Sequence, residues 1–316
     1  MWIKIAILLV FAPAIAFAAT YVDEGFETNI TFDGSPAGVI YENINECECV
    51  SGEEICPDDK PTCGETPQYV TVQSTVKNTG ANALKSNIGQ DGGGGAGIVI
   101  ETTDYTSFAN KTALYLRWYA YFDTGYKWHA RSKMIRWHMV NGFPDLYVSC
   151  NGAPIGDYGD GTTGATNCDV GVYFIGGACS GVSPWSTAEF YYIAHSSGAN
   201  KGSEWLVSPG GWYYFEAYLD LTNKTLSLWM KRPADETATK VIDAKSLEGC
   251  TGMTGAGNQY FGYLDVDYWI NNTTSGSGGV VYTDDIAIAD TYIGLASGST
   301  PARKLNNVSG VRVTLH

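Results

Sequence analysis

Ala113-Leu114-Tyr115-Leu116-Arg117-Trp118-Tyr119-Ala120-Tyr121-Phe122 alternates without a break. Successive side chains of an extended chain point to opposite sides, so Leu114, Leu116, Trp118, Ala120 and Phe122 share one face and Tyr115, Arg117, Tyr119 and Tyr121 the other. The stretch reads as a strand with an apolar face for a core and a row of tyrosines around an arginine opposite. Residues 212–221 repeat the pattern. Tyr213, Phe215, Ala217, Leu219 and Leu221 point inward, while Trp212, Tyr214, Glu216, Tyr218 and Asp220 point outward. Further strands are expected at 69–76, 97–101, 133–139, 170–174, 190–194, 226–231, 260–268 and 280–289. No helical period stands out, and many short strands joined by Gly, Asn, Asp and Ser turns belong to an antiparallel sandwich or barrel. The run Asp91-Gly92-Gly93-Gly94-Gly95-Ala96-Gly97 lacks the Lys-Ser/Thr of a phosphate loop and reads as a flexible turn.

The first residues bound the compartment. Ile5 to Phe17 is almost without polarity and leads to Ala16-Phe17-Ala18, a small-x-small cleavage site, so residues 1–18 read as a secretory signal peptide. Removing them takes away only Lys4, which moves the formal charge from -14 to -15 and leaves 316 minus 18, or 298, residues. The expectation is a secreted protein, whether extracellular, periplasmic or on the cell surface, with no membrane span. Nucleic acid is not expected as a partner, because binding phosphates needs a broad positive surface.

All eight cysteines lie after residue 18, and an exported chain pairs its cysteines. Cys47, Cys49, Cys56 and Cys63 crowd into one segment that also carries Glu46, Glu48, Glu53, Glu54, Asp58, Asp59 and Glu65. Their spacing matches no common zinc site, and no calcium-loop pattern is present, so residues 45–66 read as an acidic, disulfide-stapled insertion. Cys150, Cys168, Cys179 and Cys250 are spread along the body.

A basic island interrupts this acidic chain. Lys127, Arg131, Lys133 and Arg136 gather with His129 and His138, and no acidic residue falls between Asp123 and Asp145. Cations beside Tyr and Trp suit an acidic or hydroxyl-rich ligand, since the cations neutralise carboxylates and flat rings stack on sugar faces. The alternative is an edge strand whose charges keep other chains from pairing with it.

Tyr121-Phe122-Asp123-Thr124-Gly125-Tyr126-Lys127-Trp128 followed by Lys133, then Gly210-Gly211-Trp212 leading to Glu216, Leu226-Ser227-Leu228-Trp229, and the closing Val280-Val281-Tyr282-Thr283-Asp284-Asp285-Ile286-Ala287-Ile288 make up an ordered set of motifs. This order resembles the concanavalin A-like jelly rolls, and more narrowly the secreted polysaccharide lyases that cleave alginate and glucuronan. The resemblance covers about residues 20–295. It implies an all-β, two-sheet antiparallel jelly-roll sandwich over residues 19–295, with a C-terminal tail at 296–316. The chain also departs from those lyases. Arg131-Ser132 and Met134-Ile135-Arg136 stand where they carry two glycines and a Leu-Pro-Gly run. No arginine lies between Arg136 and Arg232 to complete their Ser-x-Arg strand, and Tyr191 and Tyr192 are adjacent rather than alternating.

Two functions follow. The first is a secreted carbohydrate-binding protein that recognises an extracellular polysaccharide. Tyr115, Tyr119, Trp212, Tyr214 and Trp229 would form a stacking platform, with Arg117, Tyr121 and Glu216 completing the binding set. The second is a lyase that cleaves a uronate-containing glycan by β-elimination. That reaction needs neutralisation of the C5 carboxylate, a base for the C5 proton and an acid for the leaving oxygen. Lys133 and Arg136 would neutralise, His138 or a tyrosine would be the base, and Tyr119 or Tyr191 the acid. On a regular strand Arg136 and His138 share a face and Lys133 lies opposite, unless a bulge intervenes. Glu216 and Asp220 lie four residues apart, roughly 13 Å on a strand, which is too far for a hydrolase pair. No cofactor is required for either function. Glu24, Glu27 and Asp285, beside Asp284, are candidate ligands for a structural calcium, with polar capping of a strand end as the alternative.

Overall fold

The structure is a computed structural model. It describes residues 20–26, 39–40, 48–50, 53–55, 70–88, 95–101, 111–130, 132–139, 145–153, 161–175, 184–185, 190–195, 206–247, 261–270 and 277–296. Among the described residues every regular element is a strand. A nine-stranded sheet runs in the order β16 (Thr239–Ser246), β15 (Thr225–Lys231), β14 (Trp212–Asp220), β8 (Ala113–Phe122), β18 (Gly279–Ala289), β6 (Ala83–Ile88), β5 (Val70–Gln73) and β2 (Val39–Ile40), with β1 (Thr20–Glu24) also paired to β18. A seven-stranded sheet runs β12 (Pro184–Trp185), β13 (Phe190–His195), β11 (Cys168–Ile175), β10 (Asp145–Gly152), β9 (Ser132–Met139), β17 (Phe261–Ile270) and β7 (Gly95–Glu101). The neighbours within both sheets are antiparallel. The two sheets form the expected jelly-roll sandwich.

One apolar cluster joins them. Leu114, Leu116, Trp118, Phe122, Phe215 and Leu219 enter it from the nine-stranded sheet, and Ile135, Trp137, Val148, Val170, Val172 and Val266 from the seven-stranded sheet. The alternation read in β8 and β14 is therefore the division between core and outside, and Trp118 stacks on Phe215 with ring centroids 5.1 Å apart. Burying one such aromatic contributes about 1.5–3 kcal/mol. Because each sheet gives one face to this cluster, their other faces look away from one another.

The Gly-Gly-Trp motif has a backbone cause. Gly210 turns at φ 93°, a conformation that L side chains rarely adopt, and its N–H donates to the Phe122 carbonyl at 2.8 Å. A Cβ on Gly211 would run into the Pro233 ring. Both glycines therefore let the chain turn tightly into β14 beside β8.

Strands β2, β6, β10, β12 and β16 were not expected from the sequence, and β7 begins at Gly95, within the glycine run read as a flexible turn. The acidic insertion contains a short hairpin of β3 (Glu48–Val50) and β4 (Glu53–Ile55). Disulfide pairing within that insertion, the residues before Thr20 and the tail after Ala296 lie outside the described residues. Cys150 and Cys168 form a disulfide that ties β10 to β11. No helix among the described residues is long and apolar enough to cross a membrane.

Candidate functional site

The basic island does not sit on an edge. Its strand β9 is flanked by β10 and β17, so the edge-protection alternative is set aside. Ile135 and Trp137 enter the core, which leaves Arg136 on the outer face of the seven-stranded sheet. Lys133 joins it there through a bulge. Ile135 pairs with Val148, but Lys133 pairs with the very next residue, Ser149, so Met134 is an extra residue on β9. The irregularity resolves the parity conflict read from the sequence. Both cations reach the ring of Tyr147, with Lys133 Nζ 4.5 Å and Arg136 Cζ 5.9 Å from its centroid.

Behind the cations lies a polar floor. Tyr147, Ser149 and Asn151 alternate on β10 with the core residues Val148 and Cys150, and Asp169 and Tyr173 do the same on β11 with Val170 and Val172. All five polar side chains are buried. Asn151 holds two partners: its Nδ2 donates to the Tyr173 hydroxyl at 2.5 Å, and its Oδ1 accepts from the Ser132 N–H at 2.9 Å. The second contact fixes the start of β9 immediately before Lys133. In register, Asp265, Arg136, Tyr147, Tyr173 and Tyr192 form one row across five strands, and Lys133, Ser149, Gly171 and His195 form another across four.

The outer face of the nine-stranded sheet carries the other expected residues. Tyr121, Tyr119, Arg117 and Tyr115 pair directly with Trp212, Tyr214, Glu216 and Tyr218. The centre of this face is closed. The segment after β18 folds across it as a strap: Ile293 and Gly294 donate their N–H groups to the two Glu216 carboxylate oxygens at 2.8 and 2.9 Å, and Ala296 N–H donates to the Tyr119 hydroxyl at 2.9 Å. Tyr214 also donates its hydroxyl to Glu216, and burial, followed by the Glu216 charge, pushes the Tyr214 phenol far up. Arg117 Nε donates to the Asp285 carbonyl at 3.1 Å. Arg117, Tyr119, Tyr214 and Glu216 are all buried. Aromatic rings stay half-exposed on either side of the strap. Tyr121, Trp212 and Tyr282 cluster at one end, and Tyr115, Tyr218 and Trp229 at the other.

The expected metal residues divide. Asp284 Oδ2 accepts from the N–H groups of Asn78 and Thr79 at 2.8 and 3.2 Å, while Asp285 accepts from the Asn78 amide and the Thr79 hydroxyl at 2.8 and 2.7 Å. Burial first, and then the Asp285 charge, push the Asp284 carboxyl up to about 8. Glu24 pairs in register with Ile286, one residue after Asp285, and Glu27 lies outside the described residues. Among the described residues no group of three or more His, Cys, Asp or Glu side chains is placed to hold a metal. The carboxylates of Asp284 and Asp285 and the Thr79 hydroxyl are hard oxygen donors of the kind calcium takes, whereas Asn78 turns its amide nitrogen to Asp285.

The structure thus brings Lys133 and Arg136 together and separates them from Tyr119, which belongs to the opposite outer face. His138 stands two residues beyond Arg136, in register with Asp145 and Tyr263. Tyr191 is in register with Phe174, so Tyr192 rather than Tyr191 falls in line with Tyr173. Sequence reading missed Tyr147, Ser149, Asn151 and Tyr173. The signal was present as Tyr-x-Ser-x-Asn and Asp-x-Gly-x-Tyr alternation. The strand after Lys133 reads Ser149-Cys150-Asn151, with no arginine in it.

No protein-family model and no curated protein matches the chain. Among solved structures it is similar to "Cellulose induced protein, Cip1", at 17% identity over 72% of this chain and 88% of that one, with a TM-score of 0.39. It is also similar to the endo-beta-1,4-glucuronan lyase of the fungus Trichoderma reesei, at 13% identity over 70% and 87% of the two chains and a TM-score of 0.38. The alginate lyase vAL-1 of a Chlorella virus is similar at 8% identity over 69% and 88%, with a TM-score of 0.37.

Proposed function

We propose that this is a secreted protein that binds an acidic, uronate-bearing polysaccharide across the outer face of the seven-stranded sheet. One observation carries the reading: the bulge at Met134, which sets Lys133 and Arg136 on the same face and against the same ring. Two cations held at fixed spacing over a buried polar floor are suited to a carboxylate, and they keep the positive charge in excess of Asp265, the acid in register beside Arg136. A guanidinium takes it in a bidentate fork, and the ammonium adds a point charge. Because the Tyr147 ring is already engaged by both cations, its part is to position them. The floor groups Ser149 and Asn151 offer partners for sugar hydroxyls.

The test is a titration of the mature protein with a uronate oligosaccharide and a neutral gluco-oligosaccharide. Charged hydrogen bonds contribute about 1.5–3 kcal/mol, so Arg136→Ala is expected to weaken uronate binding about tenfold or more and neutral-sugar binding slightly. Unchanged uronate affinity in Arg136→Ala rejects the site.

β-Elimination is the second reading, supported by the hydrogen bond from Asn151 to the Tyr173 hydroxyl. That contact fixes a phenol in the same cross-strand row as Arg136, where a tyrosine could serve as the base for the C5 proton. The electron pair of the broken C–H bond would then form the C4–C5 double bond and expel the glycosidic oxygen, which takes up a proton. Rising ultraviolet absorbance with a uronate polymer selects the lyase, and binding without product selects the binding protein. A structural calcium on Asp284 and Asp285 remains part of the proposal, on the strength of the two adjacent carboxylates and the Thr79 hydroxyl beside them.

A further inference from the structure

We infer that the nine-stranded sheet carries a second glycan site, specific for a neutral polysaccharide, formed by Tyr115, Tyr218, Trp229 and Tyr292. The four rings are in continuous contact. Tyr115 stacks on Tyr218 at 4.3 Å between centroids, Trp229 lies 6.1 Å from Tyr115, and Tyr292 of the strap reaches Trp229 at 5.3 Å and Tyr115 at 6.2 Å. None of them belongs to the core cluster between the sheets. Tyr292 is 48% exposed, and it and Leu295 are the only exposed large hydrophobic side chains among the described residues. The fold therefore leaves four contiguous rings at its surface without using them for its core, and an exposed patch of that kind marks an interaction surface.

The surrounding charges decide the class of ligand. Lys240 lies 4.7 Å over the Trp229 ring, but its ammonium is paired with Asp243 at 2.8 Å. Asp220 accepts from the Tyr218 hydroxyl at 2.9 Å and from the Asn223 amide at 2.7 Å, which brings a carboxylate to the margin of the patch. Burial and the hydrogen bond to Asp220 push the Tyr218 phenol up to about 12, so it remains a donor at neutral pH. A site with one neutralised cation and an acid beside it repels a uronate. Flat rings flanked by hydroxyl, amide and carboxylate groups suit the C–H face and hydroxyls of an uncharged sugar chain. The two outer faces would thus take different glycans, with the acidic one at Lys133 and Arg136 and the neutral one here.

The experiment is native affinity electrophoresis in gels containing hydroxyethyl cellulose, a soluble neutral glucan, run alongside sedimentation of the free protein. Wild type is expected to be retarded. Trp229→Ala and Tyr292→Ala should bind about tenfold more weakly. Tyr292 is half in solvent and outside the core cluster, with its hydroxyl hydrogen-bonded to Tyr214, so its replacement removes one strap contact and leaves the core intact even if Trp229→Ala folds poorly. Absence of retardation in wild type, or full retardation in Tyr292→Ala, overturns the inference. Concentration-dependent dimerisation abolished by Tyr292→Ala overturns it too, since a second copy would then cover the rings. Failure here leaves the uronate titration of Arg136→Ala untouched, so the two sites are judged separately.

Discussion

Glu216 has no exposed surface although it stands on the side of a sheet turned away from the core. A carboxylate survives such burial only when its oxygens are hydrogen-bonded, and Tyr214, Ile293 and Gly294 supply the donors. Asp284 likewise accepts from the N–H groups of Asn78, Thr79 and Asp285, yet its acidity is shifted. Its carboxyl is raised from 3.8 to about 8 by burial and by Asp285, so the fold binds that proton more tightly than the unfolded chain does. The resulting stability is fully present below pH 3.8 and is lost as pH climbs to about 8. Asp284→Asn should therefore flatten the fall of melting temperature between pH 4 and pH 8, and parallel curves for the two proteins would contradict the assignment. Added calcium gives the test a second arm: an ion on Asp284 and Asp285 should raise the wild-type melting temperature at pH 8 and leave the asparagine variant unmoved.

At the scale of elements, legibility followed the alternation. Residues 113–122 were read as a strand over the same bounds as β8, because five apolar residues, four of them large, recur at every second position as a strand requires. The start of β14 was equally plain after Gly210-Gly211. Strand β10 was missed because Ser149, Cys150, Asn151 and Gly152 have weak strand preference, and three of the five floor residues went unread with it. The bulge at Met134 was beyond sequence for another reason: it exists only relative to the partners β10 and β17. The end of β10 is fixed by close backbone approach. Gly152 N–H donates to the His129 carbonyl at 2.9 Å, its carbonyl accepts from Thr162 N–H at 2.7 Å, and a Cβ there would collide with the Thr162 carbonyl. Gly152→Ala is expected to destabilise the protein by about 1–3 kcal/mol, read as a lower denaturation midpoint. An unchanged midpoint would show that the loop yields freely.

On the scale of the whole molecule, the sandwich sorts residues that look alike in sequence onto two unrelated surfaces. Tyr119 and Lys133 are fourteen positions apart, 133 minus 119, yet they belong to opposite outer faces because β8 and β9 lie in different sheets. A reading that pooled aromatic and basic residues into one groove had no means of seeing this, since sheet membership depends on pairings distant in sequence. On the proposed reading, the separation would let a chain of formal charge -14 address an acidic glycan, with the attraction confined to one short stretch of one strand. The central claim is that Lys133 and Arg136 act on one ligand, and a double-mutant cycle measures it most directly. Uronate oligosaccharide would be titrated calorimetrically into wild type, Lys133→Ala, Arg136→Ala and the double variant. Each single variant should lose about tenfold in affinity, and the double variant should lose less than the product of the two, with a coupling of about 0.5–3 kcal/mol between neighbours on a shared partner. Losses that simply multiply, or single variants that bind as wild type does, would contradict the account.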